Sequence, residues 1–143
     1  MDAPKIPRIQ PPETEVSRPF WEGCIAGELR LQYCRSCARY QFYPRIICSH
    51  CGAGEPEWRA VSGAGHIASF SVVRRGISRA YPAPYVVALI DLDEGPRMMS
   101  SIVDASPELV TVGAAVDVKF ENWGAEHVLP VFCLRESHDH EQS

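Results

Sequence analysis

A positive charge balance is the first thing this chain lacks, with 14 Lys and Arg against 18 Asp and Glu and a formal net charge of −4. Such a chain has no overall positive field with which to condense on a nucleic-acid backbone, although a local basic patch remains compatible with it. Long hydrophobic runs are missing too. The longest apolar stretches, Tyr85–Ile90 and Val128–Leu134, fall far short of the roughly 20 residues that cross a bilayer, so the sequence reads as a soluble protein. No Gly-x-Ser-x-Gly elbow occurs, which removes one familiar nucleophile. Helix signals are sparse and there is no internal repeat. No signal peptide is recognisable, so the expectation is a reducing, cytoplasmic setting in which six cysteines serve metal binding and packing rather than disulfides.

What the chain does have is a metal-binding pattern. Cys34-Arg-Ser-Cys37 and Cys48-Ser-His-Cys51 are two Cys-x-x-Cys knuckles separated by ten residues. Two tight turns at that spacing present four thiolates tetrahedrally to one Zn²⁺, the pattern of a zinc ribbon. With every ligand supplied by protein, no position is left for water or substrate, so the metal is expected to hold a fold rather than perform chemistry. A ribbon of this size cannot bury enough surface to fold alone, which couples zinc binding to folding. His50 lies inside the second knuckle but is expected to face solvent, since four thiolates already satisfy the metal.

At 143 residues with 45% apolar side chains, the chain accommodates that module plus one compact domain. Residues 1–17, with Pro4, Pro7, Pro11 and Pro12, read as an extended arm. Residues 18–55 read as a helix and the ribbon. Ser17 is the expected N-cap, Pro19 suits the first turn, and Phe20, Trp21, Cys24 and Ile25 recur at helical spacing. The Phe20–Trp21 pair has two readings, core packing or an anchor for another subunit. Leu29, Leu31 and Tyr33 alternate as a strand into the first knuckle, and Tyr40, Phe42 and Tyr43 return from it. Residues 56–136 carry successive strand signals at 57–62, 66–74, 85–93, 97–104, 115–122 and 128–135. Five or six short antiparallel strands in so short a span predict a small closed barrel of OB type, because closure removes exposed edges. Gly65 and the turn Asp93-Glu94-Gly95-Pro96 occupy places where a barrel bends or reverses. Residues 137–143 read as a disordered tail.

Several phrases point further: Arg18-Pro-Phe-Trp-Glu22, the ribbon from Cys34 to Cys51, Val61-Ser-Gly-Ala-Gly65 with Ser69-Phe-Ser-Val-Val73, Pro84-Tyr-Val-Val-Ala-Leu89 with Asp93-Glu-Gly-Pro96, and Val112-Gly-Ala-Ala-Val116. Together they resemble the zinc-ribbon OB-fold proteins of the DUF35 family over most of the chain. That resemblance implies an accessory subunit of a thiolase-like enzyme, in a hetero-oligomer, that aids assembly and shapes the channel for acyl-coenzyme A. Relatives of this kind accompany thiolytic, acyl-transferring and retro-aldol reactions, which leaves the acyl group open. Some carry a fused hydratase-like domain; the expectation here is a partner on a separate polypeptide.

The chain's own chemistry agrees with a non-catalytic subunit. Thiolysis needs a thiolate, a base and an oxyanion hole. Outside the ribbon the cysteines are Cys24 and Cys133, both in apolar settings and both expected to be buried. Asp91, Asp93 and Glu94 sit at a strand end and turn, where solvated carboxylates are ordinary. His66 and His127 read as single strand-end histidines, and His138 and His140 fall in the tail. Arg74 and Arg75 close a strand and open a loop that also holds Arg79 and Tyr81. Either this loop is solvated, or its guanidinium groups hold the phosphates of a coenzyme A ester while Tyr81 flanks the adenine or pantetheine arm. Two rival readings remain: an OB-fold single-stranded nucleic-acid module, which the acidic strand residues oppose, and an autonomous acyl-CoA carrier or hydrolase, which needs a pocket in this chain alone.

Overall fold

The computed structural model describes residues 14–74, 84–124 and 127–135. In chain order they form α1 (Arg18–Ala26), β1 (Leu29–Cys34), β2 (Arg39–Gln41), β3 (Glu57–Val61), β4 (Ala64–Val73), β5 (Tyr85–Leu92), β6 (Arg97–Val103), a single 3-10 turn at Pro107–Leu109, β7 (Ala115–Gly124) and β8 (His127–Leu134). Among the described residues no helix is long and apolar enough to cross a membrane.

Helix α1 begins with Pro19 in its first turn, where the missing N–H removes no intrahelical bond. Ser17 sits at the N-cap, but the expected side-chain cap is not made. Its backbone is already helical (φ −89°, ψ −6°) instead of extended, so Oγ is turned back and accepts from Thr14 N at 2.9 Å, while Thr14 Oγ1 accepts from Ser17 N at 3.1 Å. The two residues lock the entry turn together. Gly27 ends the helix in the left-handed region at φ 82°, its N–H returning to Cys24 O, a conformation glycine adopts without strain. The inward face carries Phe20, Gly23 and Cys24.

Strand β1 is the centre of a three-stranded antiparallel sheet in the order β2–β1–β3. Its pairings run Gln32↔Gln41 and Tyr33↔Tyr40 on one side and Leu29↔Val61 through Tyr33↔Glu57 on the other. The strand at 57–61, grouped by its position in sequence with the barrel, therefore pairs with the ribbon. Register explains it: β3 completes the open edge of β1 before the chain turns at Gly63 into the barrel. Leu31 and Gln32 are both buried although they point to opposite faces, because apolar core covers one face and the knuckle loop covers the other.

The remaining strands close a barrel in the order β4–β5–β6–β8–β7, with β7 returning to β4 through Gly65↔Val116. Strand β5 alternates without a fault, placing Val86, Ala88, Ile90 and Leu92 inward. One pairing departs from the antiparallel expectation: β6 and β8 run parallel through Ile102↔Phe132 and Val103↔Cys133. The chain leaves β6, ascends β7 on the far side and returns along β8, so the strand that seals the barrel arrives in the same direction. Gly65 stands between β5 and β7, and a Cβ there would lie 2.6 Å from Asp91 O. Only glycine permits that approach.

Ribbon and barrel share a single core. Phe20, Cys24, Leu29 and Leu31 belong to the same buried cluster as Ile67, Ile90, Val116 and Phe132. Each such fully buried aliphatic or aromatic side chain stabilises the fold by about 1.5–3 kcal/mol, and here that burial joins the metal-bearing segment to the barrel.

Candidate metal centre

Cys34 is the last residue of β1, and the chain turns immediately through Cys37 into β2. The second knuckle hangs from a loop pinned by an isolated bridge between Ile47 and Gly54. The two turns are built alike. Ala38 N donates to Cys34 O at 2.8 Å and Gly52 N to Cys48 O at 3.0 Å, and both donors sit in the left-handed region, at φ 61° and 80°. The second knuckle places glycine there; the first places alanine, which bears the strain.

The four sulfurs lie within 4.8 Å of one another, with Cys34–Cys51 and Cys37–Cys48 separations of 3.6 Å. A tetrahedron with Zn–S bonds of about 2.3 Å has edges of about 3.8 Å, so the donor set fits zinc. Cys34 and Cys48 are buried, Cys37 is half-buried and Cys51 is exposed. Burial pushes the Cys48 thiol up, yet N–H groups of Cys51 and His50 outweigh it and bring it down to about 6. Cys34 is lowered mainly by the N–H of Cys37. Burial first, and then hydrogen bonds to the neighbouring sulfurs, push Cys37 up to about 12. Cys51 is raised: the N–H of Ala53 favours its thiolate, but the Cys34 sulfur and burial prevail. A dication is what lets all four ionise together, and a bound Zn²⁺ would serve as a closed structural tie between the knuckles.

His50 is exposed and stands apart from the sulfur cluster, as expected. Its Nδ1 lies 3.5 Å from Arg39 Nη1 and its Nε2 3.4 Å from Tyr40 O. Cys24 is 1% exposed, and burial pushes its thiol up to about 12. Cys133 is a correction to the buried expectation. It is half-buried, and its Sγ lies 3.7 Å from Asp117 O, because β8 alternates and its neighbour Phe132 takes the core position. Arg74 is exposed at the end of β4; Arg75, Arg79 and Tyr81 lie outside the described residues, as do His138 and His140. His66 is exposed, with Nδ1 3.9 Å from Asp93 Oδ1. Asp91 is held by Arg97 at 2.6 and 3.2 Å.

Glu94 departs from the solvated expectation: Oε2 accepts from Ser62 N at 3.0 Å, and Oε1 is buried without a partner among the described residues. The sequence also concealed a buried polar pair, Gln32 and Gln41, joined by a 2.6 Å hydrogen bond from Gln41 Nε2 to Gln32 Oε1. The signal available was a glutamine between Leu31 and Tyr33 in an alternating strand, which by itself does not say what covers its polar face. The aromatic pair of α1 divides its duties. Phe20 is buried and packs edge-on against Trp21 and Phe42, while half-buried Trp21 lines an apolar groove of about 390 Å³ with Tyr43, Met98, Met99 and Pro130. Tyr43 and Met99 are 62% and 60% exposed there, an unusual disposition for such large apolar side chains.

Residues 21–57 match the family described as the ChsH2 rubredoxin-like zinc ribbon domain, and residues 58–121 the ChsH2 C-terminal OB-fold domain. A DUF35 domain-containing scaffold protein of Methanothermobacter thermautotrophicus is 39% identical over 89 residues, covering 61% of this chain and 67% of that protein. A probable enoyl-CoA hydratase alpha subunit of Thermomonospora curvata is 30% identical over 129 residues, 88% of this chain; the match spans only 40% of that longer protein. Among solved structures, the Ltp2-ChsH2(DUF35) aldolase superposes with a TM-score of 0.80 at 28% identity, over 87% of this chain and 98% of that one. Ribbon, barrel and these relatives together place the chain in the DUF35 family, with its zinc ribbon and OB fold of the ChsH2 kind.

Proposed function

We propose that this chain is a zinc-stapled accessory subunit that docks on a thiolase-like enzyme acting on acyl-CoA, and that the partner supplies the nucleophile for thiolytic, acyl-transfer or retro-aldol carbon–carbon chemistry. The observation that carries the reading is the apolar groove at the junction of helix, ribbon and barrel, where half-buried Trp21 of α1 lies with exposed Tyr43 of the loop after β2 and exposed Met99 of β6. The relatives' names lend support: a scaffold protein, a hydratase alpha subunit and an aldolase component. The cysteine chemistry agrees with it, since the clustered thiols suit a closed metal site and the Cys24 thiol is held protonated by burial. In this reading α1 and the ribbon seat on the partner. The segment from Arg74 through Arg75, Arg79 and Tyr81 reaches the coenzyme A ester, and binding energy goes into ordering the partner's channel and excluding water.

Expressing a thiolase-like enzyme encoded beside this chain, with and without it, tests the proposal. The two are expected to co-elute, with thioester-cleaving activity raised by the chain, and Met99→Glu is expected to abolish co-elution while zinc content is retained. Failure to co-elute with unchanged enzyme activity, or thioester turnover by this chain unaided, overturns it.

A further inference from the structure

The apolar groove beside α1 arises where two strands part. β6 and β8 pair through Ile102↔Phe132 and Val103↔Cys133, and ahead of those pairs Met99 of β6 and Leu129 of β8 line the cleft. Pro130 lies in the same wall and has no N–H with which to close the gap. Its carbonyl accepts from the Ser100 hydroxyl at 3.0 Å. Trp21 and Tyr43 supply aromatic faces, and no charged side chain occurs in the lining among the described residues. A cleft of this kind, built from aromatic and methionine side chains, accepts an extended apolar segment.

The sequence holds such a segment next to the groove. Ser17 belongs to the lining, and the hydrogen bonds of 2.9 and 3.1 Å between Thr14 and Ser17 fix the point from which residues 1–13, outside the described residues, depart. Pro4, Pro7, Pro11 and Pro12 favour polyproline II, a helix with three residues per turn. On that period Ala3, Ile6, Ile9 and Pro12 fall in one row, Pro4 and Pro7 in a second, and Asp2, Lys5 and Arg8 in the third. An arm so patterned can bury its apolar rows and leave the charged row in water. Its reach suffices: at about 3.1 Å per residue Ile9 extends about 16 Å from Thr14, while Met98 to Ser101 of β6 span about 10 Å. The tether makes the contact intramolecular, at an effective concentration of about millimolar, against which any second copy must compete.

We propose that the groove is the docking site of the chain's own N-terminal arm, with Ile6 and Ile9 seated against Trp21, Tyr43 and Met99 in the free protein. A thiolase-like partner then seats by displacing the arm, but the docking is a property of the free chain and does not rest on that partner.

The test uses the zinc-loaded full chain with no partner added. Its methionines are Met1, Met98 and Met99, so carbon-13 labelling of their methyl groups gives a sparse spectrum in which Met99→Leu identifies the Met99 signal. A nuclear Overhauser contact from the Met99 methyl to isoleucine methyls is expected, and Ile6→Ser/Ile9→Ser should abolish it and shift the Met99 signal with zinc content unchanged. Trypsin gives a second readout at Lys5 and Arg8, since cleavage tracks the undocked fraction. Met99→Glu, still zinc-loaded, is expected to be cut there about tenfold faster than the parent or more. A Met99 signal indifferent to Ile6→Ser/Ile9→Ser, or equal cleavage of the parent and Met99→Glu, overturns the proposal. Protection from trypsin that fades on dilution also overturns it, because the groove is then covered by a second copy of the chain.

Discussion

Gln32 grips the backbone of Arg45 at both of its polar atoms: Oε1 accepts from Arg45 N at 2.8 Å and Nε2 donates to Arg45 O at 2.8 Å. The same Oε1 accepts from Gln41, whose own Oε1 accepts from Ser49 N at 2.7 Å. Two side chains from adjacent strands thus hold the loop between the knuckles at Arg45 and the second knuckle itself at Ser49. Gln32→Leu keeps the volume and removes both bonds to Arg45, and the expected loss is about 2 kcal/mol. Urea denaturation of the zinc-loaded protein measures it, and faster zinc release to a colorimetric chelator should accompany it.

Zinc removal should reach beyond the ribbon, since Leu29 and Leu31 of β1 lie in the same core as the barrel. One zinc per chain is expected by elemental analysis. Chelation, or Cys48→Ser, should lower the thermal midpoint by more than about 10 °C. Near-ultraviolet circular dichroism should register loosened aromatics, including the Phe20, Trp21 and Phe42 contacts.

The two knuckles invite an exchange of residues. Ala38 holds φ 61° where its counterpart Gly52 holds 80°. Ala38→Gly relieves left-handed strain and is expected to stabilise the zinc-loaded protein by about 0.5–1 kcal/mol. Gly65→Ala should act oppositely, because its Cβ meets Asp91 O at 2.6 Å. Backbone must move to admit it, at about 2 kcal/mol or more. The urea midpoints of the two variants should shift in opposite directions.

Hydrogen bonds from Arg97 hold the Asp91 carboxyl below its ordinary value, and those from Arg135 do the same for Asp117. A carboxylate depressed on folding contributes stability that is present above its unfolded pKa, about 4. That contribution is lost as pH falls through the folded value. The double variant Asp91→Asn/Asp117→Asn should therefore be less stable than the parent at pH 7, with the gap closing below about pH 4. Both carboxylates are nearly half exposed, with side-chain accessibilities of 46% and 47%, so the gap is small and shrinks with added salt. Paired urea titrations across pH cancel whatever acid does to the thiolates.

Much of this molecule is local in origin, and local order is what a sequence states. Cys-x-x-Cys spacing implies a knuckle because a tight turn of that length brings two sulfurs to one side. The apolar run Tyr85–Ile90, bounded by Pro84 and the Asp93–Pro96 turn, implies a strand, but Val87 and Leu89 are as apolar as Val86, Ala88 and Ile90, so only the folded barrel decides which set turns inward. Gly27 and Pro19 mark the ends of α1 for reasons contained in their own backbones. What tertiary structure alone decided is every relation between segments far apart in the chain: the edge that β3 completes, the direction in which β8 meets β6, and the covering of Gln32 by a loop 13 residues away. The groove shared by Trp21, Tyr43 and Met99 belongs to the same class. Periodicity tells which face of an element is apolar but not which neighbour will cover it. That choice rests on packing summed over the whole core, to which no single stretch of residues holds the key.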